Sequence, residues 1–251
     1  MTVVKRVLKR LGLQRPALWL YTMYREEVWR PGAWRTMRRD RRDDEHLRLA
    51  LAFVLRDDSN CIDVGCNQGS ILRSMVELAP HGSHLAFEPL PHLAEKLRDQ
   101  FPTVTVHEVA VADDNGTAQY SYIVGHDGYS GLSDREFAGS DRVQHIHVEV
   151  RRLDDMLPDG YAPDFVKIDV EGAQLGVLRG ARATLKRHRP VVWFEHGALA
   201  ASYFAATSTD VWDLLVGELG YRIFDADGVG PYSRSDFASL SGEIWTFVAH
   251  G

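Results

Sequence analysis

Cysteine is scarce: Cys61 and Cys66 are the only two in 251 residues. They flank a glycine turn and fit no zinc-ligand spacing, and a disulfide between them would distort that turn. Reduced thiols are therefore expected, which suits a cytoplasmic protein. No run of about 18 apolar residues occurs, so no membrane-spanning helix is expected. The basic N-terminus lacks an uninterrupted apolar core and a small-residue cleavage site, so it does not read as a signal peptide. No internal repeat and no low-complexity tract is present, which argues against repeat architectures. What remains is ordinary for a globular chain, with 25% charged and 45% hydrophobic residues. The length suits one α/β domain with an appendage.

Charge is unevenly spread. Residues 1–42 carry twelve Lys/Arg against three acids, a net +9, while the whole chain is −6 and the remainder therefore −15. A basic amphipathic segment with Trp19, Trp29 and Trp34 has several uses. It can pack on its own acidic domain or form a homodimer seam. It can also act as a lid over substrate, or make peripheral contact with an anionic membrane. Residues 1–57 are read as this helical appendage and 58–251 as the main domain. The appendage is expected to hold helices starting near Val3 and Pro16, a break at Pro31-Gly32, and a third helix from His46 to Leu55.

The main domain is organised around Asn60-Cys61-Ile62-Asp63-Val64-Gly65-Cys66-Asn67-Gln68-Gly69. Cys61 to Val64 is a short apolar run, as in a buried parallel strand. Gly65, Asn67 and Gly69 suit a tight turn, because glycine and asparagine tolerate positive φ. From Ser70 the apolar residues Ile71, Leu72, Met75, Val76 and Leu78 recur at helical spacing. A dinucleotide fingerprint would place glycines as G-x-G-x-x-G, and here that spacing fails. An acid beside the turn is also poor company for a pyrophosphate and good company for an ammonium group.

Ser83 to Phe87 follows as a second strand ending in Glu88-Pro89. Glu88 lies about 20 residues past the glycine turn, where doubly wound folds place an acid for ribose hydroxyls. Val104 to Val109 is a third strand, and Asp114-Asn115-Gly116 is expected to make a hairpin turn into a strand at Tyr120–Val124. A polar loop over 125–141 contains Ser130-Gly131-Leu132. His145 and His147 share a strand face, a weak metal signal without a third ligand. Asp164 to Ile168 is a strand running into Asp169-Val170-Glu171-Gly172, and Val191 to Phe194 is a strand running into Glu195-His196. Acids and histidine at strand carboxyl ends sit where open α/β sheets bind ligands. Residues 209–219 read as a helix, Tyr221–Phe224 as a strand, and Ile244–Ala249 as a last, antiparallel strand.

The set Asp63-Val64-Gly65-x-Asn67-x-Gly69, Phe87-Glu88-Pro89, Lys167-Ile168-Asp169-Val170-Glu171-Gly172 and Phe194-Glu195-His196 resembles the FkbM-type S-adenosylmethionine-dependent methyltransferases. The likeness covers roughly residues 57–251, and its specificity comes from the order and spacing of four motifs. It implies a class I methyltransferase fold, an α/β Rossmann-like and mostly parallel seven-stranded sheet with the last strand antiparallel and helices on both faces. It also implies O-methylation of a sugar, glycolipid or secondary metabolite, with S-adenosylmethionine as cofactor and no nucleic-acid partner. By the same resemblance, Asp63, Gly65, Asn67 and Gly69 would line the methionine and sugar part of the cofactor. Glu88, followed by Pro89, would hold the ribose, and Ala110-Val111 would border the adenine. The chain departs from the pattern where members often carry a second serine, here Gly131, and where many carry Glu, here Gln174.

Methyl transfer to a hydroxyl requires alignment and removal of a proton. His196 is the leading base, with Glu195, Asp169 and Glu171 as orienting or alternative acids. A divalent metal ion held by these acids is another way to lower the hydroxyl pKa. The rival readings are a dinucleotide oxidoreductase and a methyltransferase-fold binding protein whose basic arm takes nucleic acid or an anionic membrane.

Overall fold

The computed structural model describes residues 33–124, 130–132, 143–240 and 244–251. The helices expected before Ala33, and the break at Pro31-Gly32, lie outside the described residues. The expected third helix begins well before His46: α1 runs Ala33–Val54. The chain divides into two compact units between His46 and Leu47. Leu47 and Leu51 are buried in the core of the second unit with Cys61, Met75, Phe165 and Trp193. The second unit thus begins eleven residues before residue 58, because apolar spacing continues to Leu51 after the basic run has ended.

Strand β1 (Cys61–Val64) is buried at all four positions. A strand covered on both faces needs an unbroken apolar run, and this one carries a single exception, Asp63. Helix α2 (Ser70–Leu78) buries Ile71, Leu72 and Met75. Then come β2 (Leu85–Phe87), α3 (Pro91–Gln100) and β3 (Thr105–His107). Pro91 starts α3 because its fixed φ suits a first helical turn, where no amide donor is needed.

The chain next builds a second sheet from β4 (Ala110–Val111), β5 (Gly116–Ile123) and β6 (Val143–Arg151), in the order β4-β6-β5. This corrects the hairpin expected at Asp114-Asn115-Gly116. The strands on either side of that turn do not pair; β6 lies between them, parallel to β4 and antiparallel to β5. Tertiary contacts claim the turn: Asn115 Nδ2 donates to Asp155 Oδ2 at 2.8 Å, and Asn115 Oδ1 accepts from the Arg152 amide at 2.8 Å.

The main sheet resumes with β7 (Phe165–Ile168), followed by α4 (Gln174–Gly180) and α5 (Arg182–His188). β8 (Val191–Glu195), α6 (Ala198–Ser202) and α7 (Ser208–Trp212) come next, with a π-helical turn over Asp213–Glu218. β9 (Arg222–Asp225), α8 (Arg234–Ser239) and β10 (Thr246–His250) complete the chain. The stretch between β9 and β10 contains a helix, whose Ser233 side chain accepts from the Asp236 amide as an N-cap.

The seven-stranded sheet has the order β3-β2-β1-β7-β8-β10-β9. β10 runs antiparallel to both neighbours, and the other pairings are parallel. This is the class I methyltransferase architecture expected from the sequence. β1 is followed by β2 on one side, while the chain reaches β7 on its other side only after the second sheet. That reversal opens a crevice beyond the carboxyl ends of β1 and β7, where such sheets bind ligands.

Candidate active site

A cleft of about 600 Å³, counted to its open mouth, lies at this reversal. Its floor is the β1 turn. Gly65 has φ 79°, and a Cβ there would lie 1.8 Å from the Asp169 carbonyl oxygen. Only glycine lets the ends of β1 and β7 approach this closely. Asn67 also has positive φ, 48°, and lines the cleft.

Glu88 stands at the end of β2 and is 4% exposed. Its Oε2 accepts the Asn67 amide at 2.9 Å, and its Oε1 accepts the Leu90 amide at 3.0 Å. Each oxygen retains acceptor capacity for a ligand. Burial pushes the Glu88 carboxyl up to about 7, against the pull of those two amides. Pro89, Ala110 and Val111 line the cleft beside it.

Two of the residues expected at the cofactor are not in the cleft wall. Asp63 is fully buried in the sheet, with Oδ1 3.2 Å from Lys167 Nζ. Gly69 precedes α2 with φ 76°, and a Cβ there would strike Leu97 and Phe101 at 2.7 Å. Its place in the motif is a packing requirement between α2 and α3. Both cysteines are free and buried, and Cys66 Sγ lies 3.0 Å from the Asp63 carbonyl oxygen.

Asp169 and Glu171 line the same cleft from the end of β7. Glu171 has φ 53°, a left-handed backbone that costs a non-glycine residue on the order of 1–3 kcal/mol. Such strain collects at functional sites. Opposite stands a wall from the second sheet: Tyr120, Ser130, Gly131 and Leu132. Gly131 is bonded to Ser121 in both directions, at 2.8 and 3.2 Å. The Tyr120 hydroxyl donates to the Ser130 carbonyl, and Ser130 Oγ accepts the Ile123 amide, both at 3.0 Å. A Cβ on Gly131 would lie 3.5 Å from Glu171 Cβ, so these two residues face each other.

Glu195 and His196 are placed differently. Glu195 ends β8 in register with Thr246 of β10. The His196 amide donates to the Trp245 carbonyl at 2.6 Å, which carries the chain one residue further along β10. The His196 side chain is 4% exposed, lies 2.8 Å through Nε2 from Ser208 Oγ, and stacks on Phe237 at 5.6 Å. Burial pushes this imidazole down to about 4, so it is neutral at physiological pH. Neither Glu195 nor His196 is among the residues lining the cleft. His145 stands beside Gln119, and among the described residues no group of three or more His, Cys, Asp or Glu side chains could hold a metal ion.

Lys167 carries no role in the sequence reading beyond its place in a motif. Its signal is its position, a lysine inside a strand buried at every residue. Tyr120 was equally silent, because nothing in its local sequence tells which way the second sheet folds over the first.

Residues 63–223 match the methyltransferase FkbM domain. The 2-O-methyltransferase NoeI of Sinorhizobium fredii (strain NBRC 101917 / NGR234) is 28% identical over 161 residues, covering 57% of this chain and 65% of that protein. Methyltransferase sdnD of Sordaria araneosa is 29% identical over 155 residues, covering 47% of this chain and 59% of that protein. The match therefore spans less than two thirds of the length of these curated relatives. Among solved structures, methyltransferase FkbM from Methylobacillus flagellatus KT superposes with a TM-score of 0.50 at 18% identity, covering 78% of this chain and 44% of that one. At that identity the likeness is one of fold.

Proposed function

The chain belongs to the FkbM methyltransferase domain family, and we propose that it is an S-adenosylmethionine-dependent O-methyltransferase acting on a hydroxyl of a sugar, glycolipid or other secondary metabolite. The observation that carries this reading is Glu88. A buried carboxylate whose two oxygens are each pinned by one backbone amide is preorganised to accept a ribose diol. The same cleft places Asp169 and Glu171 within one site. A rival dinucleotide fits poorly: among the described residues three carboxylates and no lysine or arginine line the cleft, which repels a pyrophosphate. Asn67 Oδ1, buried and without a hydrogen-bond partner among the described residues, asks for a donor from a ligand.

S-adenosylmethionine, when bound, supplies an activated methyl group. The protein's own task is to align the acceptor and accept its proton. Glu171 is the group we assign to that proton, because it lines the cleft on a strained backbone and faces the second-sheet wall. Asp169 lies on the donor side, against the β1 turn. His196 is the competing base, and a replacement at each position separates the two. Gly131 and Leu132 bound the cleft beside Glu171, where the hydroxyl of a small-molecule acceptor would be presented.

Titration calorimetry with S-adenosylmethionine tests the reading. Glu88→Ala is expected to weaken binding by about 1–3 kcal/mol, the cost of a lost charged hydrogen bond. Equal affinity of wild type and variant would remove the ribose assignment. Tighter binding of NAD than of S-adenosylmethionine would overturn the whole reading. Donor-dependent methylation across a panel of sugars and glycolipids then identifies the acceptor.

A further inference from the structure

Four residues on two neighbouring strands make a square at the floor of the cleft. Asp63 and Lys167 are directly paired in the parallel register of β1 and β7. Gly65 and Asp169 lie two residues further along the same strand lines, and so on the same face. The Lys167 stem rises between them. Its Nζ lies 3.2 Å from Asp63 Oδ1, 3.1 Å from the Gly65 carbonyl oxygen and 3.4 Å from Asp169 Oδ2. An ammonium has three N–H donors, and here it meets three acceptors. Its side chain is 10% exposed, that of Asp63 1%, and that of Asp169 33%.

A buried ion pair alone would serve stability poorly. Taking both charges out of water costs about as much as their attraction returns, and an apolar pair of similar volume often does as well. The pair here does something an apolar pair cannot. Two of the three acceptors, Gly65 and Asp169, line the cleft, whereas the third lies beneath it. The Asp169 amide also donates to the Val64 carbonyl at 3.0 Å, so main chain and side chain of Asp169 are both tied to the β1 turn. Burial by itself would push Lys167 down, but the charges of Asp63 and then Asp169 carry it above its ordinary value, so the ammonium persists. Burial pushes Asp63 up, and Lys167 pulls it back toward the charged form.

We propose that Lys167 is the positioning residue of the donor site, fixing the Gly65 carbonyl and the Asp169 carboxylate in their binding arrangement before the donor arrives. It does not touch the reacting atoms. One carboxylate oxygen of Asp169 is engaged by Lys167, and the other remains for the ammonium of an amino-acid-bearing ligand. Asp63 is then the counter-charge that allows a lysine to be buried in β7, which accounts for an acid in the middle of an otherwise apolar strand. The inference rests on the donor reading of the cleft given above.

The test uses the full chain, S-adenosylmethionine titration calorimetry and thermal melts. Asp63→Asn keeps the ammonium and its two cleft-lining acceptors, and is expected to hold donor affinity within about threefold. Asp63→Asn/Lys167→Met removes both charges of the buried pair together, so neither is left uncompensated. It is expected to melt close to Asp63→Asn yet bind donor about 10- to 100-fold more weakly, the scale of a lost charge-assisted hydrogen bond. Lys167→Gln in the same Asp63→Asn background is read by the same criterion if the methionine variant loses its cooperative melt. Affinity of the double variant within threefold of Asp63→Asn overturns the role of Lys167 alone. A wild-type protein that binds no S-adenosylmethionine overturns the donor reading, and this inference with it.

Discussion

The carboxyl ends of β7 and β8 look alike as sequence and differ as structure. Each strand is mostly apolar and ends in polar residues, Asp169 and Glu171 just past β7, Glu195 and His196 at the end of β8. The β7 residues line the cleft. His196 is buried away from the lining, with Nε2 at Ser208 and its ring on Phe237. The neighbours make the difference. β7 pairs with β1 at the point where the sheet order reverses, so its end opens onto the crevice. β8 pairs with the antiparallel β10, and the His196 amide continues that pairing through Trp245. A polar residue at a strand end is therefore a site candidate only where the neighbouring strands part.

This contrast breaks most sharply at the base. Glu171→Gln is expected to lower turnover about 10²- to 10⁴-fold, the range of general-base catalysis, with donor affinity within about twofold of wild type. Steady-state methylation with a donor titration separates the two quantities. If Glu171→Gln keeps full turnover and His196→Ala loses it, the β8 end is the catalytic one.

Glu88 sharpens the donor side through pH. Its carboxyl sits at about 7 in the free protein, against an ordinary 4.5. If bound ribose needs the ionised form, binding releases a proton below that value. Affinity is then expected to fall about tenfold per pH unit below 7, reaching about 100-fold at pH 5. Stability moves in the opposite sense. A raised carboxyl favours the protonated fold, so its contribution is full below about 4.5 and is lost as pH rises to about 7, on the order of 3 kcal/mol. Glu88→Gln should flatten both curves in calorimetry and thermal melts; unchanged curves would show that another group titrates.

A smaller effect is expected at Gly131. No positive φ demands glycine there, and among the described residues an added Cβ meets only Glu171, at an ordinary contact distance. Gly131→Ala should leave the melting temperature unchanged while raising KM for the acceptor about tenfold, the lower range for one extra carbon in a shaped pocket. An unchanged KM would place the acceptor away from Glu171.

The smallest change in rate is expected at His196. His196→Ala should keep turnover within about threefold while costing stability on the order of 2–4 kcal/mol, through a lost hydrogen bond and a cavity beside Phe237. A rate loss in the general-base range at full stability would restore it as the base.

Much of the domain was legible because its signals are local. The Cys61–Val64 run, the glycine turn and the helical spacing from Ser70 each appear as expected. Ala110 and Val111 line the cleft, although they belong to a second sheet that no periodicity announced. The turn at Asp114-Asn115-Gly116 was misread because turn chemistry reports a bend and not which strands pair across it. Asp63 and Gly69 carry motif positions whose surroundings are packing and charge, which a motif cannot distinguish from ligand contact.

The sequence by itself determined the α/β class, the order along the chain of the seven main-sheet strands, and the presence of a glycine turn followed by an acid at Glu88. The α/β class and these strands follow from spacing along the chain, where a period of two or 3.6 residues and a glycine of positive φ leave few alternatives, whereas the class I sheet was what the family resemblance implied. Only the tertiary structure decided which acids share a cleft, that Lys167 lies between Asp63 and Asp169, and that His196 turns toward Ser208. Lys167 and Asp63 are 104 residues apart. What brings them to 3.2 Å is the parallel register of β1 and β7. That register is set by the packing of whole strands, and no residue in either strand encodes its partner.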